Sequence, residues 1–208
     1  LALLLNYQKH YRLKKFVQSL SFAPHFISIV VFVGMIRLFT AQYNGVFNHL
    51  LELIGLERIN FLASEKIFPH LYVWSGVWQN LGWNTIIYLA AITAIDPTLY
   101  EAASIDGCGR FKKMWFITLP GIKTTIIVLM IMSIGNILNA GFELQYLLRN
   151  GQVQEVSDTI DIFVMIFGFR HRNYALATAA GIFKNVVNIS ILFLANFMAK
   201  RMGEERLI

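Results

Sequence analysis

Tyr100 to Pro120 reads YEAASIDGCGRFKKMWFITLP and separates two long apolar runs. Just ahead of it, Asp96-Pro97 predicts a helix start. The carboxylate can cap free backbone N–H groups, and proline tolerates the first helical position. The helix TLYEAASI follows, with Glu101 in its first turns, where a carboxylate suits the helix dipole. Asp106-Gly107 ends it, because glycine can take the left-handed conformation of a C-terminal cap. A second helix, basic and aromatic, runs from Arg110 to Thr118, and Pro120 limits its continuation. Ala102 and Ala103 give the first helix a small face that another protein surface can approach closely. Short polar helices also serve as plain connections in polytopic proteins.

Outward from this loop the chain reads as membrane. Of its 208 residues, 56% are hydrophobic and 14% charged, where a soluble domain carries about 25% charged residues. A bilayer core needs roughly 20 mostly apolar helical residues. Phe16–Ile36, Ile67–Ile95 and Thr124–Phe142 contain no Asp, Glu, Lys or Arg, and Asn173–Ala199 contains Lys184 alone. The expected fold is therefore an all-α, polytopic membrane domain, a single unit over 1–208. Its spans fall at about 16–36, 67–95, 124–142 and 173–199, with a polar loop at 96–123. Leu1–Leu5 reads as the tail of a further helix whose beginning is missing, so the chain is expected to be a fragment. The opening residues lack the features of a signal peptide. Ile162–Phe169 is too short to cross and reads as a surface or interfacial helix, and the stretches 41–66 and 143–172 read as outer loops.

Basic residues orient these spans. Eleven Lys and Arg fall on the side of the 96–123 loop, among them Lys9, Lys200, Arg201 and Arg206, and five on the other. The bias places the loop and the C-terminus in the cytoplasm. The net charge of +6 does not gather on one soluble face, which argues against nucleic acid. One cysteine, Cys108, excludes an internal disulfide.

Polar residues recur inside the spans at helical spacing. Asn136, Asn139 and Glu143 form one stripe; Gly76, Asn80 and Asn84, with Trp83 alongside, form another. Thr178, Gly181, Asn185 and Asn188 form a third, bordered by Lys184. Neutral amides and an aromatic face suit a sugar pathway; they also suit helix–helix contacts. A lysine at mid-membrane costs roughly 2.5–3.5 kcal/mol on insertion scales, so Lys184 is expected to face a wet interior or a buried acceptor.

No phosphate loop, zinc-protease motif, C-x-x-C or nucleophile elbow occurs. The five histidines are scattered without metal-ligand spacing, so no catalytic residue, metal or bound cofactor is expected. Energy must come from a partner.

The loop carries more than its local chemistry. Glu101-Ala102-Ala103, then Gly107, then Ile117, Leu119 and Pro120 fall at the spacing of the EAA loop of binding-protein-dependent ABC importer permeases. FAPHFIS at Phe22–Ser28, GWNTIIYLAAITAIDPTLYEAASIDG and ATAAGIFKNVV at Ala177–Val187 resemble the LplB-like, oligosaccharide-importing branch. Nearly the whole chain is covered. The resemblance implies a type I importer transmembrane domain with about six spans in the family. It implies a second permease subunit, two cytoplasmic ATPase subunits that hold the ATP and magnesium, an extracytoplasmic solute-binding protein and a sugar substrate. Tyr100, Glu101, Ala102, Ala103, Asp106, Gly107, Leu119 and Pro120 would then form the element that docks on the ATPase. Arg110, Lys112 and Lys113 would meet lipid headgroups or the ATPase. Asn80, Trp83, Asn84, Asn136, Asn139, Glu143, Lys184, Asn185 and Asn188 are the candidate pathway residues. A channel or secondary transporter would also use intramembrane polar stripes, but has no need of this loop. An intramembrane enzyme would need a catalytic pair that the spans lack.

Overall fold

The computed structural model describes residues 1–8, 10–139 and 141–201, with side chains to Met198. Lys9, the side chains of Lys200 and Arg201, and Arg206 lie outside the described residues. Among the described residues there are helices and no strands. They are α1 (Ala2–Tyr7), α2 (Tyr11–Phe22), α3 (Ile29–Phe39), α4 (Val46–Leu53), α5 (Phe68–Thr93), α6 (Pro97–Ile105), α7 (Arg110–Lys113), α8 (Leu119–Gly121), α9 (Lys123–Gly135), α10 (Phe142–Leu148), α11 (Gln154–Ser157), α12 (Ile160–Met165) and α13 (Tyr174–Arg201).

Tyr174–Met198 is long and apolar enough to cross a bilayer by itself. Four crossings result if α2 with α3, α5 with α6, and α7–α8 with α9 each count as one bent span. Trp74, Ile182, Phe193 and Leu194 keep more than half of their surface exposed. Such surface is tolerable where lipid or another chain, rather than water, surrounds it.

Contacts divide the chain into two compact units. The first comprises Leu1–His25, Asn80–Gly135 and Ser190–Ile208. Its core joins Ala2, Ile92 and Ile122, with Tyr88, Ile95 and Ile126 packed around them. The second comprises Phe26–Gln79 and Asn136–Ile189. There Leu144 and Leu148 of α10 pack with Phe32, Val33 and Ile36 of α3, Phe68 and Val153. The Arg37 guanidinium donates to the Leu147 carbonyl, tying α3 to α10 again.

Three expectations change. The run 16–36 is not one helix, because the Ala23–Phe26 turn, which contains Pro24, separates α2 from α3. Ser28 then opens α3 by accepting from the Val31 N–H at 3.4 Å. Next, the run 124–142 is helical only to Gly135. The Asn139 N–H bonds the Asn136 carbonyl in a turn, and Gly141, at φ +60°, leads into α10. Asparagine side chains compete for local backbone groups, which favours turns over helix interiors. Last, 143–172 is not a plain outer loop, because α10 supplies core residues and Ile162 is fully buried.

Candidate functional site

Asp96 caps α6 as expected, accepting from the Thr98 N–H at 2.9 Å. That bond holds its carboxyl below the ordinary range. At the other end, the Cys108 N–H bonds the Ala103 carbonyl at 2.8 Å and the Gly107 N–H bonds the Ser104 carbonyl at 3.2 Å. Gly107 sits at φ +71°. This is a Schellman cap with glycine at the left-handed position. Glu101 is the fifth residue of α6 rather than part of its first turn. The dipole effect fades within that turn, so its role is not to stabilise the helix start. Glu101, Ala102 and Asp106 are exposed.

After the turn, α7 ends at Lys113 and a π turn, Met114–Thr118, takes its place, with the Leu119 N–H bonded to the Met114 carbonyl. The wide turn accommodates Pro120, whose ring would otherwise meet the Phe116 carbonyl. Thr118, fully buried, was not singled out by its sequence. Its hydroxyl meets the Tyr100 hydroxyl at 3.0 Å and the Tyr7 hydroxyl at 2.9 Å. Lys113 donates to Ser104, which ties the two arms of the loop together. The sequence reading also passed over Leu99, Ile105 and Phe111, which are 52%, 87% and 83% exposed. Leu99, Ala102 and Ile105 give α6 an exposed apolar side, while Phe111 lies on α7. The signal was available: Leu99, Ala102 and Ile105 follow one another at three-residue spacing.

The pathway candidates fare differently. Asn80 is half-buried, and Asn84 exposed. One face of Trp83 is covered by His25, with the rings 4.5 Å apart and nearly parallel. Asn136 and Asn139 come together, amide to amide at 3.0 Å, but in a turn, with Glu143 on the next helix. They do not form a stripe along one helix. On α13, Lys184 and Asn188 lie on the packed side, Lys184 7% exposed, whereas Thr178 and Asn185 are exposed. Asn188 Oδ1 is buried without a hydrogen-bond partner among the described residues.

Lys184 pairs with a residue that the sequence reading did not select: its Nζ donates to Asp161 Oδ1 at 2.5 Å. The hairpin register explains the match. Gly168 packs on Ala177, where an added Cβ would lie 3.2 Å from the alanine methyl. Seven residues further along each arm, Asp161 meets Lys184. The expected surface or interfacial helix 162–169 is one arm of an antiparallel hairpin, in which α12 and its π continuation Ile166–Arg170 meet α13. Beside the pair lies a cleft of about 350 Å³ lined by Thr159, Phe163, Phe167, Ala180 and Phe183. Among the described residues no group of three His, Cys, Asp or Glu gathers to hold a metal ion.

Known proteins share this fold. The family described as "Binding-protein-dependent transport system inner membrane component" matches residues 1–204. The polygalacturonan/rhamnogalacturonan transport system permease protein YteP of Bacillus subtilis is 47% identical over 99% of this chain and 64% of its own length. Protein LplB of the same organism is 42% identical over 100% and 65%. The chain thus spans just under two thirds of those relatives. A crystal structure of a bacterial alginate ABC transporter in complex with alginate pentasaccharide-bound periplasmic protein superposes with TM-score 0.95. It is 39% identical, and the match covers 99% of this chain and 72% of that one. The fold is that of a type I ABC importer transmembrane domain, and the chain belongs to the family of binding-protein-dependent transport system inner membrane components.

Proposed function

We propose that this chain is the permease part of an ATP-driven importer that takes up acidic oligosaccharides delivered by an extracytoplasmic binding protein. The observation that carries the reading is the 96–123 loop. It presents a short helix, capped at both ends, whose exposed apolar side is Leu99, Ala102 and Ile105. Such a surface suits a groove on a cytoplasmic ATPase. Displacement of α6 would pass directly to α5, from which it departs at 68°. Through Tyr100 and Thr118 it would also reach α1 and the start of α9. The ATPase, one copy on each of two permease subunits, supplies the ATP chemistry, while this chain moves and guides the sugar. The substrate class follows the relatives, one named for polygalacturonan and rhamnogalacturonan and one for the acidic polysaccharide alginate.

The test is uptake of trigalacturonate by proteoliposomes holding the full-length permease pair, ATPase subunits and binding protein. The reading expects uptake that requires ATP inside and binding protein outside. Uptake at the same rate without ATP would favour a channel and overturn it. Orientation is checked in the same system: an impermeant thiol reagent should reach Cys108 only from the ATPase side.

A further inference from the structure

We infer that the Asp161–Lys184 pair reads the charge of the sugar: Lys184 takes a uronate carboxylate in exchange for Asp161 as the chain passes the neighbouring cleft. The inference rests on the proposed importer function and adds a specificity residue to it.

Four observations support it. Lys184 lies ten residues into α13, about 15 Å along the axis, half of a bilayer core of roughly 30 Å. A single ion pair at that depth is poor stability design, since desolvation offsets its Coulomb gain. The pair is also incompletely bonded. Among the described residues Asp161 is the one hydrogen-bond partner of an ammonium that has three donors. Third, the partners are unequal: the Lys184 side chain is 9% exposed and that of Asp161 29%. Asp161 is the wetter partner and can be released to water at lower cost. Finally, the cleft is built from the chain neighbours of the pair, Ile160 beside Asp161 and Phe183 beside Lys184. Phe163 and Phe167 add faces for sugar C–H groups, and Thr159 adds a hydroxyl. The pair borders the cleft through these neighbours without lining it. A carboxylate seated there would therefore have to displace Asp161 to meet the ammonium, where its two oxygens could engage the donors that Asp161 leaves idle.

The experiment compares uptake of trigalacturonate with that of its methyl ester, which keeps the sugar skeleton and removes the charge. The neutral double variant Asp161→Asn with Lys184→Met leaves no buried charge unpaired, so it keeps the fold. Its ratio of KM for acid to KM for ester should rise about tenfold over wild type, as expected when a charge-assisted contact is lost, while Lys184→Arg should keep the wild-type ratio. An unchanged ratio in the double variant, with both KM values moved together, would make the pair structural and overturn the inference alone. Wild-type transporter that takes up neither compound with ATP would overturn the acidic-sugar reading, and this inference with it.

Discussion

The loop Pro97–Pro120 and the arm Asp158–Arg170 are both short segments that carry charge next to long apolar helices, yet they place that charge in opposite ways. In the loop, Glu101, Asp106, Arg110 and Lys112 point to the surroundings. Most of its bonds are local, among them the Asp96 cap, the Gly107 turn and the Lys113–Ser104 contact, and Thr118 links it to Tyr7 of α1. In the arm, Asp161 is turned inward to meet a lysine 23 residues away. An element built on local bonds can be displaced whole, as a docking joint must be. An element tied to its neighbour by a distant buried ion pair is sensitive to the loss of either partner alone. The same contrast separates a surface offered to a partner from an interior offered to a passing solute.

Breaking the arm should have the largest effect. Asp161→Leu alone strands the Lys184 ammonium at low exposure, and removing one partner of a buried pair costs about 3–5 kcal/mol. Thermal unfolding of the assembled transporter in detergent should drop sharply, and the neutral double variant should recover most of the loss. Equal stabilities for the two variants would erase the contrast with the loop.

A smaller effect is expected at Gly82, on α5 beside Trp83. A Cβ there would lie 2.1 Å from the Ser21 carbonyl oxygen, so Gly82→Ala must push backbone aside, at about 1–3 kcal/mol. Gly34, inside α3, has nothing within 4 Å of an added Cβ. Gly34→Ala should therefore leave unfolding unchanged or raise it by about 0.5–1 kcal/mol. Matching losses at the two glycines would mean that close approach is not what Gly82 provides.

The smallest effect belongs to the loop itself. The Thr98 N–H holds the Asp96 carboxyl below its ordinary value of 3.8. A depressed carboxylate contributes stability above the ordinary range and loses it as pH falls through the folded value. Protection of the Thr98 amide, corrected for intrinsic exchange, should be flat from pH 8 to about 5 and fall only below about 4. Asp96→Asn should keep the cap and remove the pH dependence. A wild-type transition near neutrality would contradict the assignment.

The loop was legible because its determinants lie within a few residues of one another. Asp96-Pro97 and Asp106-Gly107 each name their own geometry. Thr118 was not legible, since its partners Tyr100 and Tyr7 are 18 and 111 residues away. The break at Ala23–Phe26 was visible as Pro24, yet an uncharged run of 21 residues outweighed it in reading 16–36 as one span. Asn136 and Asn139 satisfied helical spacing but bonded each other in a turn, because spacing alone does not report where a helix stops. Lys184 announced its need for an acceptor. Finding Asp161 required the hairpin register, which depends on Gly168 packing against Ala177.

The central claim, that the 96–123 loop transmits the work of an ATPase to the spans, is tested most directly at Gly107. Its φ of +71° is a backbone state that a β-branched residue resists, and an added Cβ there meets nothing. Gly107→Val therefore alters the turn without a clash. In reconstituted transporter, ATP hydrolysis would be measured with and without sugar-loaded binding protein. The account predicts that basal hydrolysis persists in the variant while stimulation by loaded binding protein is lost. Stimulation equal to wild type would contradict it.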